Sequence, residues 1–474
     1  MSVVEAEVRE LQSAAVETSI DTSARQLTGR FSISIRERRV LLACLDLMAG
    51  GFASWWAYEL LRPAAMPNIP AFAPVLFGLA WVAGLFLVDG YAFQIPTNRI
   101  QSAIAVVKAT LFAGLAGVVA FFIEPYVMTR PLIILSTALG VVLLLLTRLT
   151  VARLLLHESL AVRAILIGRS NPSAEILRTL NAARFECRVV AQLIGDFHDE
   201  SHKDGMLAEL RRLVEFHSLH EVIVVNNSLR FVPGLAEQCL IQGVRVVPAS
   251  ALVERYMGRV PLNDIDSHWY LGLPDNDLWE RPYSVARRFI DLAVASIISI
   301  PFLLILPLLA LIIRIESPGP VFLKQRRVGQ HGLEFDLLKL RTMRLDAETA
   351  GAQFTSADDP RITRIGRILR MTHLDELPQV LNIVRGDMSL IGPRPERPEL
   401  MSLLESEIPR FRTRLLVKPG LTGWAQVKGG YASTIPDFVK KLEYDAYYIK
   451  NRSLRLDMQI LSSTFVSVIG LRGR

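Results

Sequence analysis

Four long apolar stretches follow one another in the first third of the chain, at 41–61, 72–88, 104–123 and 132–146. Short links that carry proline, asparagine and a few charges separate them. A helix that crosses a bilayer takes about 20 predominantly apolar residues. The pattern therefore predicts a bundle of four membrane-spanning helices over residues 39–153, because four such stretches in a row are not expected of buried core helices.

Between residues 160 and 262 the pattern changes to short β-branched runs that alternate with helix-like segments. The runs lie at 164–168, 188–194, 221–225 and 243–248. Alternating strands and helices are typical of a small parallel α/β domain, and we predict a Rossmann-like one. Gly168 ends the first run where a dinucleotide loop would begin, but the G-x-G-x-x-G spacing is absent. We therefore expect a structural or regulatory domain.

A fifth apolar stretch lies within the segment 287–314 and is interrupted by Pro301 and Pro307. A proline inside a helix removes a backbone hydrogen bond and bends the helix. Basic residues flank the stretch on both sides, beginning with Arg287 and Arg288, and such residues mark cytoplasmic ends. We therefore predict a re-entrant helix that enters the bilayer, breaks near the prolines and returns to the same side.

Positive charge orients the four-helix bundle. The loops 62–71 and 124–131 hold one arginine each. More arginines lie before the first span and after the fourth, namely Arg25, Arg30, Arg36, Arg38, Arg39, Arg148, Arg153 and Arg163. Cytoplasmic loops carry an excess of lysine and arginine, so both flanks of the bundle are predicted to be cytoplasmic.

Composition agrees with a membrane protein that lacks a disulfide or zinc framework. The chain has 474 residues, of which 51% are apolar, and a formal net charge of +7. Its three cysteines stand singly, and its eight histidines form no cluster with metal-ligand spacing. The first ~35 residues have no apolar run of the kind that a signal peptide requires.

Phosphate-binding side chains accumulate after the fifth apolar stretch. Arginines recur every third residue from Arg361 to Arg370. On a helix they turn by about 60° per step, so some can face phosphate and others lipid headgroups. Asp375 and Glu376 follow. Adjacent helical residues point about 100° apart, so one carboxylate can attack phosphorus while the other holds Mg²⁺. A solvated basic face and an ordinary surface carboxylate pair are the alternative interpretations.

A series of motifs from about residue 282 to the end of the chain resembles the bacterial sugar transferase family. In chain order they are Ser-Pro-Gly-Pro at 317–320, Gln-Arg at 325–326, Lys-Leu-Arg-Thr-Met at 339–343, Asp-Pro-Arg-Ile-Thr at 359–363, Leu-Asp-Glu-Leu-Pro-Gln at 374–379, Asn382, Arg-Gly-Asp-Met-Ser-Leu-Ile-Gly-Pro-Arg-Pro at 385–395, Lys-Pro-Gly-Leu-Thr-Gly-Trp-Ala-Gln-Val at 418–427, Tyr-Asp at 444–445 and Asp457. The preceding segments resemble the large members of the family, the polyprenyl-phosphate hexose-1-phosphate transferases.

The resemblance implies a domain organisation. We expect a cytoplasmic N-terminal tail (1–38), the membrane α-helical bundle of four spans (39–153), the cytoplasmic Rossmann-like α/β domain (160–262), a polar linker (263–283) and a C-terminal, mainly helical catalytic domain (284–474) with the re-entrant membrane helix. The implied location is the bacterial inner (cytoplasmic) membrane, as a multi-pass protein with its catalytic domain on the cytoplasmic face.

The resemblance also implies a reaction. Asp375 would attack the β-phosphorus of a UDP-hexose, with UDP-glucose the favoured donor, and would expel UMP. Polyprenyl (undecaprenyl) phosphate would then displace the sugar phosphate from this aspartyl intermediate, which initiates synthesis of an exopolysaccharide repeat unit. Glu376 would hold Mg²⁺. The implied partners are the UDP-sugar, polyprenyl phosphate and membrane lipid; a second copy of the chain and polysaccharide assembly proteins are further candidates, and no nucleic acid is expected.

Position within the motifs assigns the other site residues. The predicted substrate- and phosphate-binding side chains are Lys339, Arg341, Arg370, Arg394, Gln325 and Arg326. Two prolines stiffen the loop around Arg394 and hold its planar guanidinium for an anion. Asp445 and Asp457 are predicted to support the metal or the active site. For Arg394, Asp445 and Asp457, loop anchoring or helix capping stays an open alternative.

Three other functions stay open. UDP-galactose or a UDP-acetamidosugar would serve as donor in the first, although Trp-Ala-Gln-Val at 424–427 resembles the glucose-type members more. A non-catalytic membrane scaffold or regulator of polysaccharide assembly would need neither Asp375 nor Mg²⁺. A membrane-tethered nucleotide-sugar dehydrogenase or epimerase would need the dinucleotide loop that is absent after Gly168.

Overall fold

A computed structural model describes residues 17–20, 35–61, 72–88, 90–91, 99–123, 125, 129–155, 161–168, 174–182, 187–194, 212, 219–225, 235–265, 267–273, 280–344, 359–430 and 432–469. The chain divides into two compact units, Met1–Met257 and Gly258–Arg474.

The first unit contains a bundle of apolar helices. They are α1 (Ile35–Leu61), α2 (Phe72–Leu87), α3 (Arg99–Ile123) and α4 (Arg130–Leu155). Trp81 is fully buried at their centre, and a Cβ on Gly140 would lie 2.6 Å from its indole nitrogen, so only glycine fits there. Side chains such as Val107 and Ile134 stay exposed, as expected of helices that face lipid. The bundle is thus of the membrane type that we predicted.

The four helices of the bundle differ in length. α1, α3 and α4 are long and apolar enough to cross a membrane, whereas α2 has 16 residues, fewer than the about 20 of a full crossing. Inside the bundle Arg148 donates to Asp46 at 2.7 Å, and Tyr91 donates to the same carboxylate at 2.8 Å. This buried pair joins α1 to α4. Outside the described residues lie Arg25, Arg30 and the loop 62–71, on which the predicted orientation also depends.

The first unit also contains a five-stranded sheet in the order β1-β3-β2-β4-β5. Its strands are β1 (Glu17–Ile20), β2 (Val162–Gly168), β3 (Cys187–Ile194), β4 (Glu221–Val224) and β5 (Arg245–Pro248). Its helices are α5 (Ala174–Ala182), α6 (Leu235–Ile241) and α7 (Ala249–Met257). β2 to β5 are parallel, as predicted for this segment, and alternate β2 side chains enter apolar clusters on the two faces.

One strand of this sheet was not predicted. β1 comes from the N-terminal tail and pairs antiparallel with β3 at the edge of the sheet. The loop that follows Gly168, where a dinucleotide motif would lie, is outside the described residues. The description of this domain as Rossmann-like stays a prediction.

The second unit is mainly helical. Its helices are α8 (Ser267–Leu271), α9 (Glu280–Glu316), α10 (Arg364–Met371), α11 (Val380–Arg385), α12 (Pro398–Glu407), α13 (Trp424–Gly429), α14 (Ile435–Lys450) and α15 (Leu454–Ile469). Short 3-10 helices cover Leu262–Asp264, Gln330–Gly332, Leu374–Gln379 and Phe411–Leu416. Its strands are the antiparallel hairpin β6 (Phe322–Val328) and β7 (Glu334–Leu340), and the parallel pair β8 (Ser389–Ile391) and β9 (Gly420–Thr422).

The predicted linker, 263–283, is not wholly a linker. Ile265 and Trp269 are buried in a cluster with Val417 and Ala446 of the second unit. Because these apolar side chains lose solvent contact there, this part of the segment is folded onto the unit rather than extended from it.

α9 contains the segment that we predicted as re-entrant. It runs as one helix of 37 residues with Pro301 and Pro307 inside it. Arg288 near its start donates to two backbone carbonyls of α11, and Glu316 at its end accepts from two backbone N–H groups of α10. Both ends are thus bound to the same unit. The predicted break is not an interruption of the helix, and the re-entrant path stays a prediction.

Candidate functional site

Asp375 and Glu376 lie on the 3-10 helix Leu374–Gln379, directly after α10. His373 joins the two helices in a left-handed conformation with a φ of 58°. Histidine is one of the few residues besides glycine that is enriched there, so the sequence permits a sharp turn at this point. The turn ends α10 and changes the direction of the chain before the two carboxylates.

Two cations bind Glu376. Arg394 Nη2 donates to Oε1 at 2.5 Å and Nη1 donates to Oε2 at 3.3 Å, while Lys339 Nζ donates to Oε1 at 3.3 Å. Burial by itself would raise the pKa of Glu376, but the charges of Arg394 and Lys339 outweigh burial and hold the pKa well below its ordinary value. Glu376 is therefore an ionised anchor for both cations.

Asp375 has a different environment. It is 8% exposed, and within the described residues its carboxylate accepts no hydrogen bond. Burial, and then the charge of Glu376, raise its pKa to about 6, although Lys339, Arg370 and Arg394 act in the opposite direction. Neighbouring carboxylates with opposite pKa shifts are the arrangement expected when one reacts and the other holds.

The loop that carries Arg394 depends on two glycines. It follows β8, which pairs with β9. A Cβ on Gly392 would lie 2.3 Å from the Lys418 carbonyl oxygen, and one on Gly420 would lie 2.1 Å from the Gly392 nitrogen. Because the two backbones approach this closely, only glycine fits at either position. The pairing brings the 418–427 motif against the 385–395 motif.

The structure places Arg341 and Arg370, two of the other predicted arginines, in different surroundings. Arg370 Nε donates to Thr342 Oγ1 at 2.9 Å, and the charge of Arg370 acts on Asp375. Arg341, in contrast, donates to the carbonyls of Ser317 and Pro318 at the end of α9. Arg370 thus belongs to the charged cluster around Asp375, whereas Arg341 anchors the loop after α9.

Strand alternation decides the positions of the β6 side chains. Arg326 is 58% exposed and pairs with Glu334 and Asp336 on the outer face of the hairpin. Arg327 is on the other face, where it donates to the Pro395 carbonyl at 2.9 Å and to Gln325 at 2.5 Å. The phosphate-binding role of Arg326 stays a prediction, whereas the structure places Arg327, which we did not predict, against the loop of Arg394. The period-2 pattern from Gln325 to Arg327 is the signal that could have identified it.

The two late aspartates have different surroundings. Asp445 accepts from Arg414 Nε at 2.9 Å, and Arg414 Nη2 donates to the Arg394 carbonyl at 3.0 Å, so Asp445 supports the loop of Arg394 through Arg414. Asp457 accepts from Tyr283 at 2.8 Å and from Tyr448 at 3.0 Å. Its hydrogen-bond partners lie on α9 and α14, in a polar cluster of their own.

A magnesium site would have to be completed by the substrate. Across the described residues, no group of three His, Cys, Asp or Glu side chains could hold a metal. Mg²⁺ commonly takes one or two carboxylates and fills its other positions with water and phosphate oxygens. Glu376 Oε2 accepts one N–H from Arg394, and a carboxylate oxygen has a second lone pair. Glu376 therefore fits a metal that binds together with phosphate.

Comparison with known proteins agrees with this geometry. Residues 282–470 match the model of the bacterial sugar transferase family. Over 185 residues the chain is 40% identical to the UDP-glucose:undecaprenyl-phosphate glucose-1-phosphate transferase of Caulobacter vibrioides, and the match covers 39% of this chain and 69% of that protein. The chain belongs to the bacterial sugar transferase family. The sugar-transferase match includes every residue of the Asp375 cluster.

Other relatives differ in the sugar that they are named for. The chain is 39% identical over 235 residues to the UDP-N-acetylgalactosamine-undecaprenyl-phosphate N-acetylgalactosaminephosphotransferase of Aeromonas hydrophila, with 49% of this chain and 54% of that protein covered. It is 30% identical over 319 residues to the undecaprenyl-phosphate glucose phosphotransferase of Komagataeibacter xylinus, with 64% of this chain and 58% of that protein covered. The chain thus spans little more than half the length of these two sugar transferases.

Proposed function

We propose that the chain transfers a hexose 1-phosphate from a UDP-hexose to undecaprenyl phosphate and releases UMP, the first step in building an exopolysaccharide repeat unit. The observation that carries the proposal is the contrast between the two adjacent carboxylates. Glu376 is held by Arg394 and Lys339, whereas Asp375 is buried, has a raised pKa and accepts no hydrogen bond within the described residues. A carboxylate in that state is available as a nucleophile.

The reaction has two steps at one phosphorus atom. First, a carboxylate oxygen of Asp375 bonds to the β-phosphorus of the UDP-hexose, the bond from that phosphorus to the bridging oxygen breaks, and UMP leaves with the electron pair. Second, a phosphate oxygen of undecaprenyl phosphate bonds to the same phosphorus, and the bond to Asp375 breaks. Because an acyl phosphate keeps the reactivity of an anhydride, the second step stays accessible.

Cations lower the cost of bringing anions together. Lys339, Arg370 and Arg394 surround the carboxylates, and their charge would offset that of the phosphates as the transition state forms. Glu376 would hold Mg²⁺, which polarises phosphate oxygens as a Lewis acid. Burial of Asp375 keeps water away from the carboxylate that reacts.

The contacts of α9 support a membrane arrangement for the catalytic unit. Arg288 near its start and Glu316 at its end both bind the unit that contains Asp375. A straight crossing would separate these ends by the ~30 Å hydrocarbon core, on opposite sides of the bilayer. The shared contacts support a re-entrant path, and the basic residues on both sides of the apolar stretch favour the cytoplasmic face of the inner membrane for the catalytic unit.

Two donors are supported by specific relatives. The name of the Caulobacter protein favours UDP-glucose, and that of the Aeromonas protein favours UDP-N-acetylgalactosamine. Trp424 does not separate them, because its indole stacks on Tyr447 and donates to the Gly258 carbonyl at 2.7 Å. It anchors the start of the second unit, so the donor has to be measured.

The experiment is UMP release from a panel of UDP-sugars by the purified chain with Mg²⁺ and undecaprenyl phosphate. The variants are Asp375→Asn and, as a matched control, Glu443→Gln, which removes a buried carboxylate that pairs with Arg259 at 2.5 Å in the same unit. We expect lipid-dependent release from the native chain and the control, and none from Asp375→Asn. Full activity of Asp375→Asn would refute the covalent route, and a folded native chain that accepts no donor would favour the scaffold function.

A further inference from the structure

The loop that carries Arg394 is held at four successive backbone carbonyls. The contacts are Gly420 N to Pro393 O at 2.9 Å, Arg414 Nη2 to Arg394 O at 3.0 Å, Arg327 Nη1 to Pro395 O at 2.9 Å and Val328 N to Glu396 O at 3.0 Å. Two donors belong to the backbone and two are arginine side chains. The loop is therefore fixed in part by charges that lie beneath it.

Glu396 lies between those two arginines. Its carboxylate accepts from Lys441 at 2.8 Å and from Arg414 at 3.4 Å, and Arg327 Nη1 is 4.0 Å away. Burial by itself would raise the pKa of Glu396, but Lys441 and Arg414 outweigh burial and lower the pKa to about 2. Glu396 is thus a buried, ionised group that none of the proposed chemical steps uses.

Charge explains why a carboxylate is needed at this position. Four cations lie on or against the 392–396 loop, namely Arg327, Arg394, Arg414 and Lys441. Buried like charges repel one another, and an anion between them offsets that repulsion. Asp445 offsets Arg414 on one side, and Glu376 offsets Arg394 at the site. Glu396 is the anion that contacts both Arg414 and Lys441 and lies next to Arg327.

We propose that Glu396 is a positioning residue that holds Arg327 and Arg414 against the 392–396 loop. The loop in turn orients the Arg394 guanidinium toward Glu376 and toward the phosphate of the donor. The donor part of this inference rests on the proposed function. Glu396 acts through Arg394 and does not itself contact the reacting atoms.

A first test needs no turnover. Glu396→Gln keeps the size of the side chain and removes its charge, and Glu443→Gln is the matched control because it opens another buried ion pair of the same unit. In the full-length chain, we expect backbone hydrogen exchange in the peptide 389–401 to be about tenfold faster in Glu396→Gln, which corresponds to 1.4 kcal/mol, and unchanged in Glu443→Gln. Unchanged exchange in Glu396→Gln, or the same increase in both variants, would overturn the proposal.

A second test asks whether Glu396 acts through Arg394. Glu396→Gln is expected to lower kcat/KM for the UDP-sugar by roughly tenfold to a hundredfold. The double variant with Arg394→Gln should be no slower than Arg394→Gln alone, because coupled residues are not additive. Additive losses would overturn the proposal. If Glu396→Gln does not fold, Arg327→Lys replaces it, since lysine keeps the charge and loses the planar fork. A native chain without UMP release would refute the proposed function and leave the exchange test to decide this inference.

Discussion

Arg394 binds Glu376 through both terminal nitrogens, with Nη2 2.5 Å from Oε1 and Nη1 3.3 Å from Oε2. Two-pronged contacts of this kind are among the strongest that arginine makes with a carboxylate. The contact helps to keep Glu376 ionised, whereas Asp375 next to it has a pKa raised to about 6. One short helix therefore presents an ionised anchor and a buried carboxylate with a raised pKa side by side.

The first step of the reaction is expected to slow as the pH falls through about 6. In the proposed mechanism Asp375 reacts as the carboxylate, and burial raises its pKa from the ordinary value of about 3.9. The rate should be constant above about pH 7 and fall about tenfold per pH unit below 6. Single-turnover UMP release without undecaprenyl phosphate measures this, because the titration of the lipid phosphate is then excluded.

Arg370→Gln provides the control for that assignment. The charge of Arg370 lowers the pKa of Asp375, so its removal should move the acidic limb of the profile to higher pH. A limb that stays in place, or moves to lower pH, would mean that another group titrates.

Replacing the two carboxylates should change stability in opposite directions. The pKa of Asp375 is higher in the folded state, so the stability it contributes is present below about pH 4 and is lost as the pH rises through about 6. Asp375→Asn should therefore stabilise the chain at pH 7.5 by up to roughly 3 kcal/mol and have little effect at pH 4.

Glu376→Gln should instead destabilise the chain at pH 7.5. It leaves Lys339 and Arg394 buried beside a neutral amide, at a cost of roughly 3 kcal/mol. Thermal unfolding of both variants in one detergent measures the signs. Destabilisation by both substitutions would indicate that Asp375 has a structural partner.

Much of the fold could be predicted because its signals are local. Apolar stretches of membrane length and β-branched runs predicted the bundle and the parallel strands. β1 was missed because a four-residue edge strand is too short to show an alternating pattern of apolar and polar residues. Its strand conformation depends on pairing with β3. Ile265 and Trp269 were assigned to a linker because the sequence does not show the tertiary contacts that bury them.

At the site, the motifs identified which residue types are present better than they identified the direction in which each side chain points. Lys339, Glu376 and Arg394 were all predicted as site residues, and the structure shows the two cations binding Glu376, whereas their roles toward phosphate and metal stay predictions. Arg326 and Arg327 are adjacent arginines, and only the register of the hairpin decides which one faces the loop of Arg394. A charge count along the chain cannot make that distinction, whereas the pleat of a strand does.

Arg326→Ala and Arg327→Ala should differ in their effect on activity. Arg326 makes exposed ion pairs on the outer face, and such pairs contribute about 0–1 kcal/mol, so its removal should leave UMP release within about twofold. Arg327 binds the Pro395 carbonyl, so its removal should lower kcat/KM at least about tenfold. Steady-state kinetics on both variants checks this, and the reverse order would support the motif-based assignment of Arg326.

The end of the long apolar helix should affect the site through α10. Glu316 accepts from Arg364 N at 2.6 Å and from Ile365 N at 2.9 Å, and so adds to the Thr363 cap at the start of the helix that carries Arg370. Glu316→Ala is expected to cost about 1 kcal/mol and to slow UMP release several-fold.

Thr434→Ala is the matched control for this cap. It removes the capping box of α14 at a similar cost in stability, and turnover should fall less than in Glu316→Ala, because the charges that act most on Asp375 lie on other elements. Equal effects of both substitutions on activity would mean that Glu316 acts only through general stability.

Labelling of single cysteines tests the path of α9 through the membrane. The start and the end of α9 bind the same unit, so residues before and after its apolar segment 287–314 should be accessible from the same side of the membrane. In a chain whose Cys44, Cys187 and Cys239 are replaced, cysteines at positions 284 and 330 should both react with an impermeant maleimide in inside-out vesicles and be protected in intact cells. A cysteine at position 68, in the arginine-poor loop between the first two predicted spans, should react in intact cells if the flanks of the bundle are cytoplasmic. Reaction at position 330 in intact cells, with position 284 protected, would make α9 a full crossing and would place Asp375 outside the cytoplasm.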